Sequence, residues 1–168
     1  FALYDAKLQM AFLARDRVGE KPLFYYHHNG TLRFASELKS LLSDPEIPRS
    51  INLESLDCFL AMGYVPGNSC ILKGFNKLPP AHAMLYSLQK RDLKIWRYWS
   101  LPELEENKGY NIDEEDLLDE LETLLEDSVR RQLVADVPVG ILLSGGVDSS
   151  IVTAMAARQT SKVKTYTI

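Results

Sequence analysis

Ser144-Gly145-Gly146-Val147-Asp148-Ser149-Ser150 stands between an apolar run, Val139-Gly140-Ile141-Leu142-Leu143, and an Ala-rich segment from Ile151 to Arg158. That order predicts a strand, a glycine turn and a helix over 149–158. Two glycines allow the backbone to approach a ligand closely, and a helix start offers unpaired N–H groups at the positive end of its dipole. Ser144, Ser149 and Ser150 add hydroxyl donors. Asp148 adds a carboxylate, which repels a bare phosphate but suits a magnesium ion bridging phosphate oxygens. The stretch therefore predicts a pyrophosphate-binding loop and, with it, an ATP site. A Walker loop needs Lys and Ser/Thr directly after its second glycine, and no lysine stands between Lys108 and Lys162. An ordinary strand-to-helix turn also uses Ser-Gly-Gly. The two following serines, the aspartate and the flanking elements together favour the loop.

Outward from the loop, Val163 to Ile168 predicts a second strand and completes one β-α-β unit, the start of a parallel α/β sheet. Upstream, Asn111 with Glu114 predicts a capping box. Behind it Leu117, Leu121, Leu124, Leu125 and Leu133 follow helical spacing. Asp113 to Asp116 open that helix and Arg130-Arg131 close it, matching its dipole. The acid cluster is thus a solvated helix start rather than a metal site. Residues 102–110 are polar and acidic with Pro and Gly, the composition of a linker. The organisation expected is a first part over 1–100, a linker over 101–112, and a second domain begun over 113–168.

The first part predicts mixed α+β structure. Phe1 to Tyr4 and Met10 to Ala14 read as strands, followed by a charged loop, Arg15 to Pro22. Leu23 to His28 and Leu32 to Ala35 are joined by Asn29-Gly30, the dipeptide that suits both positive-φ positions of a type I′ hairpin turn. That turn explains Asn29-Gly30-Thr31 better than a glycosylation acceptor does. Ser36 is placed as the N-cap of a short helix through Leu42, halted before Pro45. Ser36-x-x-Lys39 has the spacing of penicillin-binding enzymes but lacks their companion elements. Leu53 to Met62 predicts an amphipathic helix with Leu53, Leu56, Phe59 and Leu60 on its packed face, ended by Gly63. Ala83 to Leu88 and Lys94 to Trp99 predict a hairpin turning at Gln89 to Asp92.

Bulk properties exclude several classes. With 46% apolar and 25% charged residues and a net charge of −4, the chain has a globular composition and no basic footprint for nucleic acid. No apolar run approaches the roughly 18 residues of a membrane span. The opening Phe1-Ala2-Leu3-Tyr4-Asp5 has neither an initiator Met nor a leader pattern, the look of an internal fragment. Cys58 and Cys70 form no Cys-x-x-Cys and have no histidine at metal spacing, so neither a disulfide framework nor zinc is expected. Cys58, among Leu56, Phe59 and Leu60, reads as a small core residue. His27, His28 and His82 are scattered and read as structural. The lack of any staple points to a reducing, cytoplasmic setting.

Ser-Gly-Gly-x-Asp-Ser after an apolar strand resembles the loop of ATP pyrophosphatases, which cleave ATP between its α and β phosphates and leave AMP on a substrate. The upstream half narrows the resemblance. Arg15-Asp16-Arg17-Val18-Gly19-Glu20-Lys21-Pro22-Leu23-Phe24-Tyr25 and Phe34-Ala35-Ser36-Glu37-Leu38-Lys39 resemble the class II glutamine amidotransferase domain of glutamine-hydrolysing asparagine synthetases. So do Gly63-Tyr64-Val65-Pro66-Gly67, Leu78-Pro79-Pro80-Ala81-His82 and Tyr98-Trp99. Asp136-Val137-Pro138-Val139-Gly140, running into Leu142-Leu143-Ser144, is similar to the entry of that family's synthetase domain. Ala81 stands where the family usually has Gly, which argues against a positive-φ turn there.

The resemblance implies the C-terminal part of an Ntn-hydrolase-type αββα glutaminase domain, followed by the first βαβ unit of a PP-loop ATP pyrophosphatase domain. It implies adenylylation of the aspartate β-carboxylate and amide formation with ammonia from glutamine, with ATP and Mg2+ required. The substrates are small molecules, and the family implies a homodimer. By resemblance, Ser144, Gly145, Gly146, Val147, Asp148, Ser149 and Ser150 hold the pyrophosphate, Asp148 is the magnesium ligand, and Leu142 and Ile168 contact the nucleotide. The family's nucleophile is a cysteine at the mature N-terminus. Neither Cys58 nor Cys70 matches it, so no catalytic residue is assigned here and the fragment alone is expected to lack glutaminase activity. Two other readings stay open: a β-lactam synthetase-like or cell-envelope amidotransferase, and a non-catalytic nucleotide-binding module.

Overall fold

The computed structural model describes residues 1–103 and 113–167. The chain divides into two compact units, Phe1–Leu104 and Glu105–Ile168. The structure is mixed α/β, with antiparallel sheets in the first unit.

Two antiparallel sheets organise the first unit. One has the order β1-β2-β6-β7, from strands Ala2–Asp5, Met10–Ala14, His82–Ser87 and Asp92–Arg97. The other has the order β4-β3-β5, with β3 at Phe24–His28, β4 at Thr31–Ala35 and β5 at Phe75–Lys77. Period-two alternation decides which side chains meet. Leu13, aligned with Met84, and Met84, aligned with Ile95, form one inward row. They pack with Leu23, Leu78, Tyr25 and Leu32, so one face of each sheet meets the other. The opposite face of the second sheet carries Tyr26 and Phe75 and is covered by Leu41, Ile47 and Cys70. The β3–β4 turn has the expected form, with φ of 48° at Asn29 and 67° at Gly30.

Five expectations for this unit need correction. The short helix α1 spans Leu38–Leu41, its N-cap is Glu37, and no side chain caps it, so Ser36 lies one residue too early to serve. Helix α2, Leu53–Met62, ends at Gly63 as expected, in the left-handed region at φ 78°. Its packed side, however, carries buried Ser55, while Leu53, Phe59 and Leu60 are exposed. The helix entrance is tied down by Asn52 N–H to the Ile71 carbonyl and by the Asn52 side chain accepting from Ser55 N–H, and this anchoring sets its rotation. Cys58 is only half-buried, whereas Cys70 is the buried thiol. The second strand of the last hairpin begins at Asp92, two residues earlier than read, because Arg91 takes a positive φ of 56° and completes the turn.

The fifth correction, at Ala81, is the most informative. Its φ is 58°, in the region where a Cβ costs about 1–2 kcal/mol. Tertiary bonds hold it there. Its N–H donates to the Asp16 carbonyl at 2.9 Å, and its own carbonyl accepts Tyr98 N–H at 2.8 Å. The charged loop 15–22 is built around the same corner. Arg15 donates from Nε to Lys21 O (2.9 Å), from Nη1 to Leu78 O (2.7 Å) and from Nη2 to Gly19 O (2.9 Å). The Asp16 carboxylate accepts the amides of Glu20 and Lys21, and Tyr98 donates its hydroxyl to Arg15 O at 2.6 Å.

In the second unit, α3 runs Glu114–Gln132 and α4 runs Val147–Gln159, with β8 at Gly140–Leu142 and β9 at Lys164–Tyr166. The N-cap of α3 is Asp113, whose carboxylate accepts Glu115 N–H at 3.1 Å. The Asn111 cap expected from sequence lies outside the described residues, as do 104–112 of the linker. Val129, Met155 and Ala156 form the small core, with Ile141 and Val163 against them. Arg158 pairs with Glu122, and Gln159 donates to Glu126 at 2.6 Å, joining the two helices at their rims.

Candidate functional site

Strands β8 and β9 are parallel, with Gly140, Ile141 and Leu142 aligned to Lys164, Thr165 and Tyr166. A parallel pair needs a crossover, and α4 supplies it. The loop 143–146 therefore leaves the sheet at its carboxyl end, the edge at which open α/β sheets bind ligands. Leu143 extends the ladder by one bond, its N–H donating to Tyr166 O at 2.8 Å. The Leu143 carbonyl accepts the Thr167 hydroxyl at 3.0 Å. Leu142, the last residue of β8, is 66% exposed at this edge. Ile168 lies outside the described residues.

Gly145 takes φ 81°, and no atom lies within 4 Å of where its Cβ would stand. Gly146 returns to φ −80°, ψ 162° and caps α4 without a side-chain bond. The helix thus starts at Val147, two residues before the expected Ser149. Extended Gly146 lets Val147 and Asp148 take the first helical positions. The first main-chain bond of the helix is Ser150 N–H to Gly146 O at 3.1 Å. Ahead of it, the amides of Gly146, Val147, Asp148 and Ser149 have no acceptor among the described residues. Four donors at the positive end of a thirteen-residue helix make an anion-binding arrangement. Val147 itself is 74% exposed and its side chain contributes no packing that would explain the turn.

The serine hydroxyls, read from the sequence as donors, are engaged within the loop. Ser149 and Ser150 both donate to the Gly146 carbonyl, at 3.0 and 2.8 Å. Ser144 Oγ lies 3.1 Å from Ser149 Oγ. Main-chain amides are therefore the free donors of this loop, and the hydroxyls tie its two ends together. Asp148 is exposed in the first turn, where a carboxylate also favours the helix dipole. Among the described residues no group of three or more His, Cys, Asp or Glu could by itself hold a metal. A magnesium ion here would rest on Asp148 and on oxygens from a phosphate ligand and water, which is the usual pattern for that ion.

The first unit contains a cavity of about 770 Å³ lined by Phe12, Arg15, Ser36, Trp96 and Tyr98 among others. In the sequence, loop 15–22 reads as a charged turn and carries part of the family resemblance, with no sign of an internal clamp. The signal that Arg15 is an internal clamp, three carbonyls on one guanidinium, is not local, because Leu78 is 63 positions away. Neither cysteine serves this cavity. Cys70 is packed in the other core, where burial pushes its thiol up to about 11. His82 Nδ1 lies 2.7 Å from Pro80 O and the His27 ring meets Tyr86 edge-on, both structural placements.

Residues 1–99 match the model of the glutamine amidotransferase domain, and residues 120–168 match that of asparagine synthase. Asparagine synthetase (glutamine-hydrolysing) 3 of Bacillus subtilis is 40% identical over 159 residues, 94% of this chain and 25% of its own length. A putative asparagine synthetase (glutamine-hydrolysing) 2 of Methanocaldococcus jannaschii is 36% identical over the whole chain, 33% of its own length. The amidase chyE of Penicillium rubens is 33% identical over 94% of the chain and 23% of its own length. The chain thus spans about a quarter to a third of each of these relatives.

Proposed function

The chain belongs to the glutamine amidotransferase family, joined to an asparagine synthase domain, and from that premise we propose that the full-length protein is a glutamine-dependent asparagine synthetase. The observation that carries the proposal is the Ser144–Ser150 loop, placed at the carboxyl edge of a parallel strand pair with unpaired helix-start amides. Residues 1–100 are read as part of the glutaminase domain, of Ntn-hydrolase type. Residues 113–168 are read as the start of the ATP pyrophosphatase domain, with 101–112 between them.

The chemical task explains the loop. A carboxylate is a poor electrophile because its oxygen is a bad leaving group. Moving AMP from ATP onto the aspartate β-carboxylate lets that oxygen depart as AMP when ammonia attacks. Cleavage between the α and β phosphates puts negative charge on the departing pyrophosphate. The unpaired amides of Gly146, Val147, Asp148 and Ser149 would take up that charge, and such prearranged donors need no reorganisation during reaction. Gly145 leaves open space beside the turn for a bulky anion to approach. Asp148 would hold Mg2+, which neutralises charge on the phosphate oxygens when bound. Leu142, and Ile168 by resemblance, would border the nucleotide. A homodimer and a cytoplasmic setting belong to the same reading. Among the described residues no helix is long and apolar enough to cross a membrane.

The test is Asp148→Ala in the full-length protein. ATP-dependent AMP formation is expected to disappear while glutamine hydrolysis continues, and synthesis at the wild-type rate would remove Asp148 from the mechanism. AMP formation that depends on a carboxylic acid other than aspartate would move the proposal to that acceptor and leave the loop's role intact.

A further inference from the structure

We infer that Thr167 is a positioning residue for the phosphate loop. The inference rests on the reading of Ser144–Ser150 as that loop. It concerns a residue beyond the end of β9 that does not belong to the glycine-serine stretch. The loop must be held at both ends for its amides to converge. Its helical end is secured by Ser149 and Ser150 on the Gly146 carbonyl. Its strand end is Leu143, the residue directly after β8. There the neighbouring strand grips both polar groups of one peptide residue. Leu143 N–H reaches Tyr166 O at 2.8 Å, and Leu143 O takes the Thr167 hydroxyl at 3.0 Å. The next residue is Ser144, whose hydroxyl meets Ser149 Oγ at 3.1 Å. A continuous line of bonds therefore runs from Thr167 through Leu143 and Ser144 to Ser149 at the helix start.

The packing of Thr167 gives it no competing task, since it is exposed. Removing its hydroxyl takes nothing from the small core of Val129, Met155 and Ala156. What changes is the freedom of the Leu143–Ser144 peptide to swing, and with it the direction of the first loop amides. Thr167 touches no reacting atom in this account and acts only through Leu143.

The experiment compares Thr167→Val, which keeps the shape and loses the donor, with Thr167→Ser, which keeps the donor. Both are made in the full-length protein, with Mg-ATP titrated calorimetrically and KM measured separately for ATP and glutamine. One neutral hydrogen bond corresponds to a change of about 3- to 10-fold in an equilibrium. Thr167→Val is therefore expected to weaken Mg-ATP binding and raise the ATP KM by about fivefold, with the glutamine KM unchanged. Thr167→Ser should stay within about twofold of wild type. Wild-type ATP parameters in the valine variant would overturn the inference, and so would equal losses for ATP and glutamine. A full-length wild-type protein that does not bind Mg-ATP would overturn the loop reading as well. Loss of ATP use in Asp148→Ala with none in Thr167→Val would remove Thr167 alone.

Discussion

The two loop glycines separate backbone freedom from ligand approach, and replacing each by alanine tests both. At Gly145, φ is 81° and the Cβ position is open, so Gly145→Ala meets no clash but carries the left-handed penalty of about 1–2 kcal/mol. Loss of glycine's unfolded-state entropy returns about 0.4–1 kcal/mol, leaving a net destabilisation of about 1 kcal/mol. At Gly146, φ is −80°, so alanine is unstrained. Its entropy gain is offset by the poorer N-cap that alanine makes, and stability should stay within about 0.5 kcal/mol of wild type. Its methyl, however, would stand 3.5 Å from Ser144 Oγ, beside the free amides. If that methyl displaces one amide-to-phosphate bond, a charged hydrogen bond of about 1.5–3 kcal/mol is lost, which is about 10- to 150-fold in affinity. Urea denaturation and Mg-ATP titration of the full-length variants give both numbers. Gly146→Ala binding ATP within twofold of wild type would refute the cradle geometry. Gly146→Ala losing as much stability as Gly145→Ala would refute the backbone argument.

Other outcomes follow from the same geometry. Ala81→Val puts a β-branched residue at φ 58° in a nearly filled site and should cost about 2–3 kcal/mol, read from the denaturation midpoint. A Cβ on Gly140 would clash with the Tyr166 ring at Cε2. Gly140→Ala should therefore destabilise the protein, and the loss should shrink in a Tyr166→Ala background, measured as a double-mutant cycle. Cys70 has a thiol pKa of about 11 in the fold against an ordinary 9.0. Its share of stability is full below pH 9 and falls as pH rises towards 11, because the unfolded thiol gives up its proton first. Iodoacetamide at pH 8 should accordingly label half-buried Cys58 and leave Cys70 unmodified until denaturant is added, as read by mass spectrometry.

Much of this protein could be read without coordinates, because its signals are short-range. The Asn29-Gly30 turn requires two consecutive positive φ angles, and those two residues supply them. Strand, glycine turn and helix around Ser144 to Ser150 follow one another within about twenty residues, so chain order alone brought the proposed site residues together. The decisions that needed tertiary structure involve partners distant in the chain. Ala81 holds a left-handed conformation against its own preference because Asp16 and Tyr98 bind its peptide groups. Arg15 became a clamp only when Leu78 arrived beside it. The apolar residues of α2 fit a helical period, but anchoring at Asn52 turned Ser55 inward and left Leu53 and Leu60 in solvent. The bond from Thr167 to Leu143 spans 24 positions and has no sequence period to announce it. Local backbone preference and side-chain period are written residue by residue, whereas a hydrogen bond between remote peptides depends on where the whole fold places them.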